Sequence, residues 1–208
     1  DRSVVVESGA ETGTGAPVCI IESGICAAHD GLAPLNLVDG APTGWATDTC
    51  GHGTHVAGTI AAVHNDLGVV GVSPGQVNVL IGKVFDGPEC AWSYSSTLAD
   101  IAFQCAEAGA NVINMSLGGG SAQTLEEAAF DWIESVGTLS IASAGNSGTR
   151  AYNYPASYSS VVSVAAVDDT MSVALFSQKN DALELAAPCR GVLAPVPLTR
   201  PANPAPLP

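Results

Sequence analysis

Residues 51–60 read GHGTHVAGTI, with two histidines three apart, His52 and His55, in a stretch of helical character. An imidazole held on a helix can act as a general base. The small neighbours Gly51, Gly53 and Thr54 would let a substrate and a nucleophile approach it closely. Residue type alone leaves two other readings open. The pair could be ordinary helix histidines with satisfied hydrogen bonds. Alternatively, Cys50, His52 and His55 could begin a metal site, although no further Cys/His cluster completes it. Further on, AGN at 144–146 and YPA at 154–156, taken singly, are loops of turn-forming residues.

Taken together, these strings stand in the order and approximate spacing of the subtilase motifs, and the chain from about residue 16 to 188 resembles that family. The resemblance makes His52 the general base. It likens NVINMSLGG at 111–119 to the family's substrate-binding strand, where Ser116, Leu117 and Gly118 offer backbone groups to an extended peptide. It likens ASAGNSG at 142–148 to the oxyanion segment, with Asn146 as side-chain donor and Ser143 and Gly145 beside the substrate. Tyr154-Pro155-Ala156 resembles the family's tight turn beside the S1 pocket, usually with a cis proline. The implied protein is a monomeric, secreted serine endopeptidase acting on extended peptide or protein substrates, without an organic cofactor. The implied fold is a three-layer α/β/α sandwich with a mostly parallel sheet, cut short at its C-terminal end.

Two departures from the family pattern matter. The first apolar strand reads VCIIESGI, with Glu22 where the family has aspartate. This acid must accept the Nδ1–H of His52 and stabilise the imidazolium. Glutamate has the right charge, but its extra methylene would displace the carboxylate by roughly 1.5 Å unless backbone or rotamer compensates. An imperfect orienter is therefore expected, and Glu22→Asp should improve it. The second departure is the nucleophile: no GTSMA-type string follows Ala187. The 208 residues alone are expected not to acylate, and an inactive, peptide-binding remnant of a protease is the alternative reading.

VHNDLGV at 63–69 resembles the calcium loop of many subtilases. The carbonyls of Val63, Leu67 and Val69 with the Asn65 side chain would be the oxygen ligands. The distal aspartate expected by resemblance falls near Gly31, beside Asp30.

These groups need a scaffold. Val18–Ile21, Val77–Val84, Asn111–Ser116, Thr138–Ser143, Val161–Val167 and Leu183–Leu185 read as strands, mostly apolar on both faces as in a buried parallel sheet. His55–Val63, Ser96–Ala108 and Leu125–Val136 read as helices. Gly109 and Gly137 stop the last two, and Thr124 with Glu127 suggests a capping box. Residues 1–15 read as an irregular N-terminal segment and 16–188 as the catalytic domain. The tail at 189–208 is proline-rich: seven of thirteen prolines fall between 188 and 208, so an irregular or disordered end is expected.

Composition narrows the partners. A net charge of −14 with six basic residues argues against nucleic acid, whose phosphates such a surface repels. No apolar run is long enough for a membrane span, and residues 1–20 lack a signal-peptide pattern, so an export signal is expected upstream of Asp1. Six cysteines favour disulfides and an oxidising compartment. Cys26–Cys50 is expected from positions the family fold brings together around Glu22 and His52. Cys90–Cys105 would bracket the entry to the second helix, leaving Cys19 as a core thiol and Cys189 unpaired.

Overall fold

The apolar runs form strands β1 (Pro17–Glu22), β2 (Asn36–Ala41), β3 (Asn78–Lys83), β6 (Val112–Met115), β7 (Leu139–Ser143), β8 (Val161–Val167) and β9 (Leu183–Pro188). Between them lie the short hairpin strands β4 (Phe85–Asp86) and β5 (Ala91–Trp92). The helices are α1 (His52–Ala61), α2 (Ser95–Glu107) and α3 (Thr124–Ser135). The computed structural model describes residues 15–197 except 76, 88, 93 and 94. The expected irregular segment before Gly15 and the tail from 198 onward fall outside the described residues.

The seven long strands make one sheet in the order β2-β3-β1-β6-β7-β8-β9, and every pairing is parallel. Helices cover both faces, giving the expected α/β/α layers. Strand β1 shows why its sequence is apolar without alternation. Cys19 and Ile21 join a cluster with Leu98, Ile101, Phe130 and Ile133 of α2 and α3, while Ile20 joins Val56, Ala57 and Ala61 of α1. A strand buried on both faces needs apolar side chains at every position.

Both glycine stops end helices as expected. Gly109 and Gly137 adopt φ of 85° and 92°, and the following N–H groups reach back to Cys105 and Ile133 carbonyls. The Thr124–Glu127 capping box does not form. The helix starts one residue earlier than expected, with Gln123 in the cap position and no side-chain cap bond. Edge strand β2 (NLVDGA) and the β4–β5 hairpin were not anticipated. An edge strand with one solvated face carries too little apolar signal to stand out.

The disulfide expectation is overturned. Cys19 pairs with Cys105 and Cys50 with Cys90, at Cα separations of 6.0 and 5.3 Å, whereas Cys26 and Cys189 are free. Cys19 is indeed in the core, but it points from β1 straight onto α2. Residues 189–197 hold no helix or strand, yet Pro195 and Pro197 are buried and lie against Gly58 and Gly51 of the α1 region.

Candidate active site

The strand order reverses direction at β1: β3 and β2 extend the sheet on one side, β6 to β9 on the other. In open parallel sheets ligands bind at such a switch point, beyond the carboxyl ends of the strands. The register places the sequence-predicted residues there. Ile21 pairs with Met115 and Met115 with Ala142, so Glu22, Ser116 and Ser143 emerge level at one sheet edge.

Helix α1 begins at this edge, at His52 rather than at His55 as its periodicity suggested. Asp48 sets that start. Its carboxylate accepts the backbone N–H of Gly51 at 2.8 Å and of Thr54 at 2.9 Å, together with the hydroxyls of Thr54 at 2.6 Å and Ser23 at 2.9 Å. Ser23 in turn accepts the Gly53 N–H at 2.8 Å. Gly51 precedes the helix with φ of 88°, a conformation that favours glycine. Gly53 allows a tight contact, since a Cβ there would sit 2.1 Å from the Gly24 carbonyl and 3.1 Å from Glu22 Cβ. The helix can therefore lie against the end of β1, which brings His52 to Glu22. Reading the sequence did not single out Asp48 or Ser23. An Asp four residues before the first histidine was the available signal for a helix cap.

His52 Nδ1 lies 2.6 Å from Glu22 Oε2. Glu22 is fully buried, and the His52 side chain is 14% exposed. Among the described residues, His52 Nε2 has no protein hydrogen-bond partner, and Glu22 Oε1 is buried without one. Burial pushes the Glu22 carboxyl above its ordinary range, with the bond and charge of His52 pulling the other way. For His52, burial acts downward, but the hydrogen bond and charge of Glu22, then the charge of Asp48, outweigh it and raise the imidazole. The extra methylene of Glu22 is thus accommodated rather than misplaced; its reach ends on Nδ1.

The other segments are open to solvent. Gly118 and Asn146 are exposed, and Leu117 is buried with its carbonyl accepting the Ser143 hydroxyl at 3.4 Å. Gly119 exchanges two backbone bonds with Tyr154, and the Tyr154–Pro155 peptide is cis. The Gly145 carbonyl accepts the Gln178 N–H at 3.1 Å. An extended peptide could add beside Ser116–Gly118 with Asn146 reaching from beyond β7.

Two other readings were open. The Cys50/His52/His55 metal site dissolves, because Cys50 is in a disulfide and His52 Nδ1 faces Glu22. His55 Nε2 lies 3.3 Å from the Val192 carbonyl of the tail, away from Glu22. At the far end of α1, Asn65 donates to the Asp30 carbonyl at 3.0 Å, and its own amide oxygen accepts the Leu67 N–H at 3.2 Å. Among the described residues, no group of three His, Cys, Asp or Glu side chains could hold a metal. The ligands expected there, three carbonyls and the Asn65 amide, are neutral oxygens, and Asp66 of the same loop joins no such group.

The cap yields a stability expectation. Asp48→Ala would orphan two backbone donors and two hydroxyls in a buried place, and should lower unfolding free energy by about 3 kcal/mol. Urea titration would measure it, and Asp48→Asn should recover part of the loss.

The chain is similar to several known proteins over most of its length. Subtilisin DY of Bacillus licheniformis is 40% identical over 184 residues, covering 85% of this chain and 65% of its own length. Alkaline elastase YaB of Bacillus sp. (strain YaB) is 36% identical over 199 residues, covering 94% and 51%. Among solved structures, the psychrophilic subtilisin-like protease Apa1 of the Antarctic psychrotroph Pseudoalteromonas sp. AS-11 matches with a TM-score of 0.84 at 43% identity, over 92% of this chain and 45% of that one. The chain spans less than two thirds of the length of each. With the sequence model of the subtilase family matching residues 13–201 and the same fold and motifs in place, the chain belongs to the subtilase family.

Proposed function

We propose that this chain supplies the acid–base pair, the oxyanion donor and the substrate strand of a serine endopeptidase that cleaves extended polypeptides. The observation that carries the reading is the 2.6 Å contact between His52 Nδ1 and buried Glu22, at the sheet edge where Ser116 and Ser143 emerge. Glu22 accepts the Nδ1–H and so fixes the tautomer with Nε2 as the free base. Nε2 takes the proton of the attacking serine hydroxyl as its oxygen bonds to the scissile carbonyl. Asn146 donates to the oxyanion that forms, and His52 then returns the proton to the departing amine. Ser116–Gly118 holds the peptide as an added strand.

The attacking serine is not in a GTSMA-type string among these 208 residues, so we assign it to sequence that the longer relatives carry. The expected result is that the 208-residue chain leaves fluorophosphonates unreacted. The same chain joined to a subtilisin's serine-bearing segment should hydrolyse peptides in a His52-dependent way. Labelling of the chain alone would overturn the first part, and a folded, joined protein without activity would overturn the second. The second reading, a remnant that only binds peptides, is favoured by that same missing string and predicts this last outcome.

Two disulfides suit an oxidising, extracellular setting, and we read the protein as secreted and monomeric. Calcium would be held by the Val63, Leu67 and Val69 carbonyls and the Asn65 side chain. It would brace the loop after α1 and take no part in the chemistry. With no carboxylate in that set, such binding would be weak.

A further inference from the structure

Beside the proposed substrate strand lies a cavity of about 530 Å³, whose walls include Trp92, Leu98, Gly118, Gly119, Glu126 and Tyr154. One of these residues is out of character with an apolar pocket. Glu126, on the first turn of α3, is only 5% exposed, and among the described residues it makes no ion pair. Among the described residues, no lysine or arginine lines the cavity. Burial pushes its carboxyl up to about 7, and the neighbouring Tyr158 hydroxyl offsets only part of this. The helix N-terminus favours a negative charge there, but not enough to overcome burial. A nearly buried carboxyl without an ion-pair partner on a cavity wall is a group whose charged form a cation placed in the cavity would favour.

The rest of the cavity suits the same guest. Gly118 and Gly119 carry no side chains to block entry from the peptide strand. Leu98 in the lining is apolar and suits an alkyl stem, and Trp92 and Tyr154 are aromatic residues of the wall, a residue type whose ring faces attract cations. Trp92 is brought to the mouth by the β4–β5 hairpin, whose Cys90 is tied to Cys50 just before the catalytic helix.

We propose that this cavity is a subsite for a lysine or arginine side chain of the bound peptide, with Glu126 as the residue that selects it. The proposal rests on the reading of Ser116–Gly118 as the substrate strand. Strand-adding peptides present alternate side chains to the protein, so a single basic position within the peptide should dominate.

The test is a fluorescence-polarisation titration of the 208-residue chain with a labelled, end-blocked alanine-rich hexapeptide. Lysine or its uncharged isostere norleucine is placed at each position in turn. The expected result is tighter binding of lysine over norleucine at one position, by about tenfold. Glu126→Gln should abolish the preference and Glu126→Leu should invert it. Arginine at that position should behave like lysine. Both variants relieve a buried carboxyl, so both should fold, as circular dichroism would show. Peptides that bind alike with lysine or norleucine everywhere, or a lysine preference that survives Glu126→Gln, would overturn the assignment of the cavity alone. If no peptide of the set binds, the substrate-strand reading falls, and this proposal with it.

Discussion

Replacing Glu22 by glutamine, in the peptidase completed with its serine-bearing segment, should lower kcat by about four orders of magnitude and leave KM nearly unchanged. Loss of the acid from a serine-protease triad has effects of that size. The acid touches His52, not the peptide, so its charge matters chiefly while the imidazolium forms. The pH profile gives a second signature. His52 must be neutral to accept a proton, so activity falls as pH drops through its pKa. Burial lowers that pKa, while the bond and charge of Glu22 raise it above the ordinary imidazole value. Glutamine removes the raising influence, and the acid limb of kcat/KM should therefore move to lower pH. A limb that stays in place would mean that Glu22 does not govern His52.

Glu22→Asp separates charge from reach. The sequence by itself suggested that aspartate would be the better orienter. The 2.6 Å contact reverses that expectation. A carboxylate withdrawn by about 1.5 Å would leave Nδ1 without a direct partner, because Gly53 already lets α1 sit as near the end of β1 as the Gly24 carbonyl permits. The Glu22→Asp enzyme should lose about one to two orders of magnitude in kcat. A gain in kcat would show that the strand end relaxes around the shorter side chain. The unpartnered Glu22 Oε1 marks what the longer acid forgoes: it reaches the imidazole with one oxygen and leaves the other buried and unsatisfied.

The second large effect concerns the core. Removing the Cys19–Cys105 link by a double alanine substitution should lower stability by about 4–5 kcal/mol. The bridge joins residues 86 apart in sequence, and the loop entropy it removes from the unfolded chain grows with that separation. For a chain of this size the melting temperature should fall by about 10–15 °C. The Cys50–Cys90 pair, 40 apart, should cost about 4 kcal/mol. Cys26→Ala, at a free thiol, should change little. Denaturant melts would rank the three. Non-reducing peptide maps would test the pairing directly, and a fragment joining Cys26 to Cys50 would sink it.

Much of this protein is determined locally and is therefore legible without coordinates. The doubly buried strands carry unbroken apolar runs, Gly109 and Gly137 supply left-handed stops, and GHGTHVAGTI requires small residues where a helix meets a strand end. Each signal arises from neighbours in sequence, so spacing and residue type suffice to place strands, helices and His52. Other features depend on which segments meet across the fold. Cys19 could be assigned a partner only once α2 was known to cross β1, since a disulfide needs Cα atoms within about 7 Å regardless of sequence distance. The edge strand β2 is recognisable through its pairing with β3 rather than through its composition. Asp48 becomes the cap of α1 because the chain turns back onto the end of β1 beside Ser23. Pro195 and Pro197, which by residue type mark an irregular end, find burial only because Gly58 and Gly51 leave room on that side of α1. Above all, whether Glu22 could reach His52 was a question of a single methylene. That length was set by how closely Gly53 lets two backbones approach, a distance that only the tertiary structure decides.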